Sequence, residues 1–300
     1  MPFCEADPWR VQYFEGVDCP PQVRIPTEDP DAYQWYPGQR LIYNKLFVAE
    51  SQGIACAPHG VTPPEFPVFS KPIYNLRGMG VGSQVLTDLA HYRRHLTEGH
   101  FWMTLLSGEH VSSDAAVENG RVAWWRHCRG MPAQEGTFDY WMVEGRSREQ
   151  LEIYLAPWVA RHLATYTGML NLETIGGRII EAHLRVADQW PDLYGAGWLA
   201  AVVALYQHGH WEFADQARRD GYSVALFGPH GRQYRHPPAD LLADVRRMPQ
   251  VSSVQITFHT DRPPAAHPMP PGGFRLAVVN CLDLAAGRAA LARLAAFFEV

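Results

Sequence analysis

Apolar positions recur along this chain with two periods, and the switches between them outline its elements. Between Tyr33 and Gly53, Leu41, Ile42, Lys45, Leu46 and Ala49 fall at helical intervals and a glycine ends the run, which predicts a first helix. Helical spacing returns from about Thr87 to Thr97, from Glu149 to Tyr166 with Pro157 as an interruption, from Leu199 to Tyr206 and from Leu284 to Phe298. Short apolar runs predict strands at Val68 to Ile73, Phe101 to Leu106, His110 to Val117 and Val122 to His127, the last two joined by an Asn119-Gly120 hairpin turn. YSVALFG, SSVQITFH and FRLAVVN read as later strands. Up to about Asp31, Pro8, Pro20, Pro21, Pro26 and Pro30 break any period, so an extended arm packed by Trp9, Tyr13 and Phe14 is expected. The mixture predicts an α+β fold.

One stretch interrupts this apolar pattern with charge. LNLETIGGRIIEAHLRVADQWP, Leu170 to Pro191, reads as strand, tight turn, strand and loop, and alternation puts Glu181, His183 and Arg185 on one face. Glu173 joins them only in one register. A loop of Gly176 and Gly177 alone sets Glu173 opposite Ile180, with the two acids on opposite faces. A loop of Gly176, Gly177 and Arg178 sets it across from Glu181. Facing carboxylates repel, so that register implies a cation between them. The plain alternative is a solvated hairpin. The buried-looking Ile179 and Ile180 argue against it.

A second polar intrusion lies upstream. Pro63, Pro64 and Pro67 lead into a strand carrying Lys71, and NLRGMGVGS follows, with Gly78, Gly80, Gly82 and Ser83. Backbone amides of a glycine-rich loop between strand and helix can lie against phosphate oxygens. The loop fits neither the dinucleotide fingerprint nor the P-loop, so alone it reads as a flexible turn. A lysine in an apolar strand, however, needs an anion or a path to water. Lys71 therefore strengthens the phosphate reading.

Composition narrows the classes. A net charge of -5 gives no basic field for nucleic acid. With 47% apolar and 19% charged residues the chain is of the folded, soluble kind, long enough for one large or a few small domains. Cys4, Cys19, Cys56, Cys128 and Cys281 show no paired spacing, which suits a reducing cytoplasm and neither a disulfide framework nor a zinc site. No apolar run reaches the roughly 20 residues of a membrane span, and the N-terminus has no signal pattern. A cytoplasmic protein with no nucleic-acid or membrane partner is expected. Trp124, Trp125, Trp141 and Trp190 read as packing, GTFDYW as a loop anchor, and His127, His208, His210 and His230 show no metal spacing.

In this order the pieces resemble the ATP-grasp superfamily, in its biotin carboxylase-like, carboxylate-amine ligase branch, from about Tyr43 onward. The resemblance implies two α+β lobes with the nucleotide between them: an N-terminal arm and short helical segment over 1–65, a small lobe over 66–135 and a large lobe over 136–300. Lys45 looks like the lysine that begins the helix before the small lobe and reaches the phosphates. Lys71 and the loop from Gly78 to Ser83 look like the second lysine and mobile loop. Thr104, Leu105 and Leu106 correspond to the hinge whose backbone bonds adenine, and Glu109 or Asp114 to the ribose acid, with His110 at its usual position. Glu173 and Glu181 resemble the magnesium carboxylates and Arg185 the arginine facing the reacting phosphate. His183 stands where asparagine is usual, and Gln189 where glutamate is. Oxygen ligands suit magnesium, so His183 either shifts preference toward manganese or stands behind the ligands.

The implied cofactors are ATP and Mg2+ or Mn2+. The implied reaction is activation of a small-molecule carboxylate as an acylphosphate, with Lys71 and Arg185 as catalytic groups, then attack by an amine or thiol. The preceding domain of such ligases is reduced here to the residues before Lys45, so the acceptor site is either built by the C-terminal region or absent. A non-catalytic ATP-binding sensor or scaffold is the competing class, and a metal-free domain with a salt-bridged hairpin is the third.

Overall fold

The structure is a computed structural model of the chain and describes residues 3–76, 78–133, 136–187 and 189–300. Arg77 of the glycine-rich loop, Asp188 of the hairpin stretch and the expected lobe boundary at 135 lie outside the described residues.

The arm is more ordered than its prolines suggest. Strand β1 (Phe3–Cys4) pairs in parallel with β2 (Ile25–Pro26), and helix α1 (Asp29–Trp35) follows. Pro30 sits in the first turn of α1, where a missing N–H costs nothing and the fixed φ suits a helix. The single helix expected from Tyr33 to Gly53 is split. Tyr36, held out of the helical region by the following Pro37, ends α1, and a short 3-10 turn, Arg40–Tyr43, leads to α2 (Lys45–Glu50).

Next come β3 (Cys56–Pro58), β4 (Val68–Pro72), β5 (Gln84–Leu86), α3 (Leu89–Arg94) and β6 (His100–Thr104). These strands form a four-stranded antiparallel sheet in the order β3-β6-β4-β5. The rest builds the large sheet: β7 (His110–Glu118), β8 (Arg121–Pro132), β9 (Phe138–Val143), helix α4 (Glu149–His162), β10 (Gly168–Ile175) and β11 (Arg178–His183). Helix α5 (Trp198–His208), β12 (Gly221–Gly228), α6 (Ala239–Arg246), β13 (Val251–Ile256), β14 (Phe274–Cys281) and α7 (Leu284–Phe298) complete it. The eight strands run β11-β10-β7-β8-β9-β12-β14-β13. Because β7 and β8 pair with β10 and β9 and not with the small sheet, the two sheets divide at 105–109 and not at the expected 135. Phe138 to Trp141 of GTFDYW lie in strand β9 and are not a loop anchor.

The faces of the large sheet differ. Leu170 and Leu172 pack with Leu155 and Val159 of α4, while α7 lays Ala290 and Leu294 into a further core with Val279 and Phe274. The opposite face carries a polar row whose register runs from His183 and Glu181 through Glu173, Asn171, Ser112 and Asp114 to Ser223, Asn280 and Ser253. The arm covers its far end. Trp124, Trp125 and Trp190 are core and Trp141 packs against it, as expected of packing tryptophans. Among the described residues no helix is long and apolar enough to cross a membrane, and all five cysteines are free thiols.

Candidate active site

The charged hairpin has the register that brings its acids together, for a reason other than loop length. Gly176 and Gly177 alone form the turn, both with positive φ, and a side chain on Gly176 would run into the Ser107 carbonyl. Ile175 pairs with Arg178 and Thr174 with Ile179, then the register shifts and Glu173 faces Glu181. Ile180 is the extra residue of a β-bulge, so the expected three-residue loop is replaced by a two-residue turn plus a bulge. A bulge leaves a backbone group unpaired. Here Lys71 Nζ donates to the Ile180 carbonyl at 2.8 Å.

Cations from the first part of the chain meet the hairpin. Asn44 caps α2 by accepting from the Phe47 N–H, which sets Lys45 at the helix start with its Nζ 2.6 Å from Glu181 Oε1. Lys71 is buried on β4, and its pKa falls to about 8 because burial disfavours the charge, opposed by Glu181 and reinforced by Lys45. Burial pushes the Glu181 carboxyl up, but Lys45 and Lys71 together hold it below the ordinary range. The other oxygen pair is served differently: His110 Nε2 lies 3.0 Å from Glu173 Oε2. Against the effect of burial, that contact and the His183 and Arg185 charges keep Glu173 low as well.

Asp29, which the sequence reading left in the proline-rich arm, completes the cluster. At the start of α1 it sits with Oδ2 2.9 Å from His183 Nδ1 and Oδ1 3.2 Å from Arg185 Nε, and it accepts from the Tyr43 hydroxyl. Burial alone would raise its pKa. Arg185 and His183 reverse that and hold it far below the carboxylate range. No motif marks Asp29; the available signal was an acid immediately before a first-turn proline.

His183 Nε2 is buried and makes no hydrogen bond, standing 3.8 Å from Glu173 Oε1 and 3.7 Å from Glu181 Oε2. A ring nitrogen and two carboxylates are donor types that a divalent cation takes. The three donors do not close around one point as they stand. Among the described residues, the only set of three such donors within 4.8 Å of one another is Glu5, Asp7 and Glu28 in the arm.

Other expected groups lie apart. Gly78, Gly80, Gly82 and Ser83 form the turn between strands β4 and β5, not between a strand and a helix; Gly78, Met79, Gly80 and Gly82 all have positive φ, and Gly78 and Gly80 border open space. Thr104, Leu105 and Leu106 lie where the chain crosses from the small sheet to the large one, Thr104 donating its N–H to Ala55 at 2.9 Å. Glu109 is half exposed and taken by Arg148 at 2.7 Å and Arg129 at 3.2 Å. Asp114 is fully buried, bonded by Asn171 and the Tyr194 hydroxyl, and burial lifts its pKa to about 6. Gln189 accepts from Asn280 through its backbone carbonyl and donates its side-chain amide to Ser223. A groove of about 470 Å³ behind the hairpin tip, lined by Glu109, Arg148, Tyr154 and Thr174, lies on the α4 side.

No protein-family profile and no curated protein matches the sequence. Solved structures do match. An L-amino acid ligase from Bacillus licheniformis superposes with a TM-score of 0.65 at 12% identity, over 95% of this chain and 81% of that one. N5-carboxyaminoimidazole ribonucleotide synthetase from Thermus thermophilus gives 0.59 at 16% identity, over 95% and 83%. The biotin carboxylase domain of 2-oxoglutarate carboxylase from Hydrogenobacter thermophilus, solved with MgADP and bicarbonate, gives 0.55 at 11% identity, over 86% and 65%. The chain has the ATP-grasp fold. Here Lys71 of the small sheet reaches the hairpin of the large one.

Proposed function

We propose that this chain is an ATP-dependent ligase that activates a small carboxylate as an acylphosphate for attack by an amine or thiol, releasing ADP and phosphate. One observation carries the reading: Lys45 and Lys71 converge on a hairpin whose Glu173, Glu181 and His183 face one another across a bulge. Structural charge pairs rarely need two buried lysines, facing acids and an unbonded imidazole at one point. The likeness to an L-amino acid ligase and to N5-carboxyaminoimidazole ribonucleotide synthetase supports small carboxylate and amine substrates.

Glu173, Glu181 and His183 would hold the divalent cation, Mg2+ or Mn2+, which when bound offsets triphosphate charge. Lys45 and Lys71 place two ammonium groups where phosphoryl oxygens would gather, and Arg185, braced by Asp29, meets charge that grows on the transferred group. The carboxylate oxygen takes the γ-phosphoryl group as ADP leaves, and the amine then attacks the acyl carbon as phosphate leaves. No protein nucleophile is needed. The backbone at 104–106 would receive adenine, and the glycine turn at 78–83 would close over the phosphates.

The test is ADP release over a panel of carboxylates and amines, with one carboxylate labelled with 18O. Transfer of one label into the released phosphate is the expected result, because the acylphosphate bridge oxygen comes from the carboxylate. ADP release without label transfer contradicts the acylphosphate. Nucleotide binding with no turnover on any pair would favour the sensor reading, which the engagement of both lysines by the hairpin itself already supports.

A further inference from the structure

We propose that a groove between the arm and helix α5 binds a small organic carboxylate, with Arg24 as the group that takes its charge. The site lies apart from the hairpin and stands or falls independently of the ligase reading.

The fold gathers its parts from three places in the sequence. Val23 and Arg24 run into β2, Trp35 ends α1, and Tyr206 and Gln207 lie in the last turn of α5. With Gln22 they line an open groove of about 440 Å³. That is the size of a small-molecule pocket. Arg24 is the one charge on its wall, and among the described residues no acid lines it.

Arg24 is held in an unusual way. Its guanidinium lies 4.5 Å from the centre of the Trp35 ring, a stack that fixes the plane and leaves the N–H edge open. Among the described residues seven cations lie over rings, and the other six also spend N–H groups on acceptors. Arg40 bonds the Tyr33 carbonyl, Lys71 that of Ile180 and Arg178 the Tyr154 hydroxyl, while Arg126, Arg232 and Arg288 bond Asp215, Glu299 and Asp139. Arg24 makes neither a hydrogen bond nor an ion pair among those residues. Water can serve an exposed guanidinium, but water does not require the stack, which gives up rotamer freedom to hold the fork in one plane.

A guanidinium edge matches a carboxylate with two parallel N–H···O bonds. The other walls indicate what the carboxylate is attached to. Val23 is buried, and the Tyr206 ring is fixed because its hydroxyl accepts from the Met169 N–H at 3.0 Å. A flat apolar body would rest on these two, with the exposed Gln22 and Gln207 amides at its rim. An inorganic anion would leave that surface unused.

Benzoate is the probe, titrated into the whole chain without nucleotide or divalent metal, with NaCl and inorganic phosphate at matched ionic strength as comparisons. The Arg24 Nε–H and Trp35 indole N–H resonances report the groove. Both should shift saturably, with half-saturation at about 1–10 mM benzoate, the range for so small a ligand. Arg24→Met should weaken benzoate by about 10-fold or more, read on the indole. Arg24→Lys should weaken it by about 3- to 10-fold, because the charge stays and the fork is lost. Arg24 is exposed, so both variants should melt close to the wild type. Should either fail to fold, the wild-type comparison of benzoate with chloride and phosphate decides. No saturable shift, an equal response to chloride or phosphate, or undiminished benzoate binding in Arg24→Met overturns the proposal.

Discussion

Two groups of acids meet at adjacent residues, Glu28 and Asp29, and they behave differently. Glu5, Asp7 and Glu28 are gathered tightly, with donor oxygens within 4.8 Å of one another, yet a guanidinium is already among them: Arg10 Nη1 is 2.8 Å from Glu28, 3.2 Å from Asp7 and 3.8 Å from Glu5. Asp29, Glu173 and Glu181 are spread more widely, and their cations stand at the margins while the His183 Nε2 between them is unbonded. Closeness of carboxylates does not make a metal site. What separates the two clusters is whether the chain supplies the central cation itself, as Arg10 does, or leaves a ring nitrogen unbonded between the acids.

The largest effect should fall on the hairpin alone. Glu181→Gln removes the partner of Lys45 and one facing oxygen, and should cost about 100-fold in metal-dependent binding of an ATP analogue, on the scale of breaking a buried pair, whereas Glu28→Gln should leave that binding unchanged. Thermal shift with analogue and Mg2+ or Mn2+ measures both. Equal losses would erase the distinction between the clusters. In the arm, Arg10→Met should destabilise the fold by about 3 kcal/mol, because three acids lose their shared cation, and added Ca2+ should restore part of the loss. Urea denaturation with and without Ca2+ checks this.

A smaller effect concerns the cations at the margin. The Lys71 pKa, about 8 in the folded chain, lies below its ordinary 10.5. The unfolded chain therefore binds more protons between those values, and the Lys71 contribution to stability rises with pH across that window. In Lys71→Met the difference in unfolding free energy between pH 8 and pH 10.5 should lack that rise. Binding of the ATP analogue should fall over the same window as the ammonium is lost. The smallest effect belongs to Glu109, whose half-exposed carboxylate is held by Arg148 and Arg129. Glu109→Gln should cost about 1 kcal/mol of stability or less and leave analogue affinity within about 3-fold, as for surface ion pairs. A large loss of affinity would return Glu109 to the ribose.

Much of the site was legible because strand alternation is rigid: Glu181 and His183 share a face wherever the strand lies, and Lys71 in an apolar strand demanded a partner. The route to the register was not legible. A bulge follows from no single residue type, although Ile179 and Ile180 side by side already broke the alternation that a regular strand would keep. Asp29 was hidden because proline was read as a breaker, while in a first helical turn it is a starter. The helix expected over Tyr33 to Gly53 ignored Pro37, and the lobe boundary was misplaced because β7 and β8 look like their neighbours until their pairing is known. Periodicity reports which face a residue takes; it does not report which strand it will pair with.

The central claim is that the acids and lysines of the hairpin hold a nucleotide with its metal. Calorimetric titration of the chain with a non-hydrolysable ATP analogue, with and without Mg2+ or Mn2+, tests it most directly. Saturable binding that requires the metal and that Glu181→Gln weakens by about 100-fold is the predicted result. No binding under any metal, or binding indifferent to Glu181→Gln, would contradict it and leave the hairpin as a structural ion-pair network.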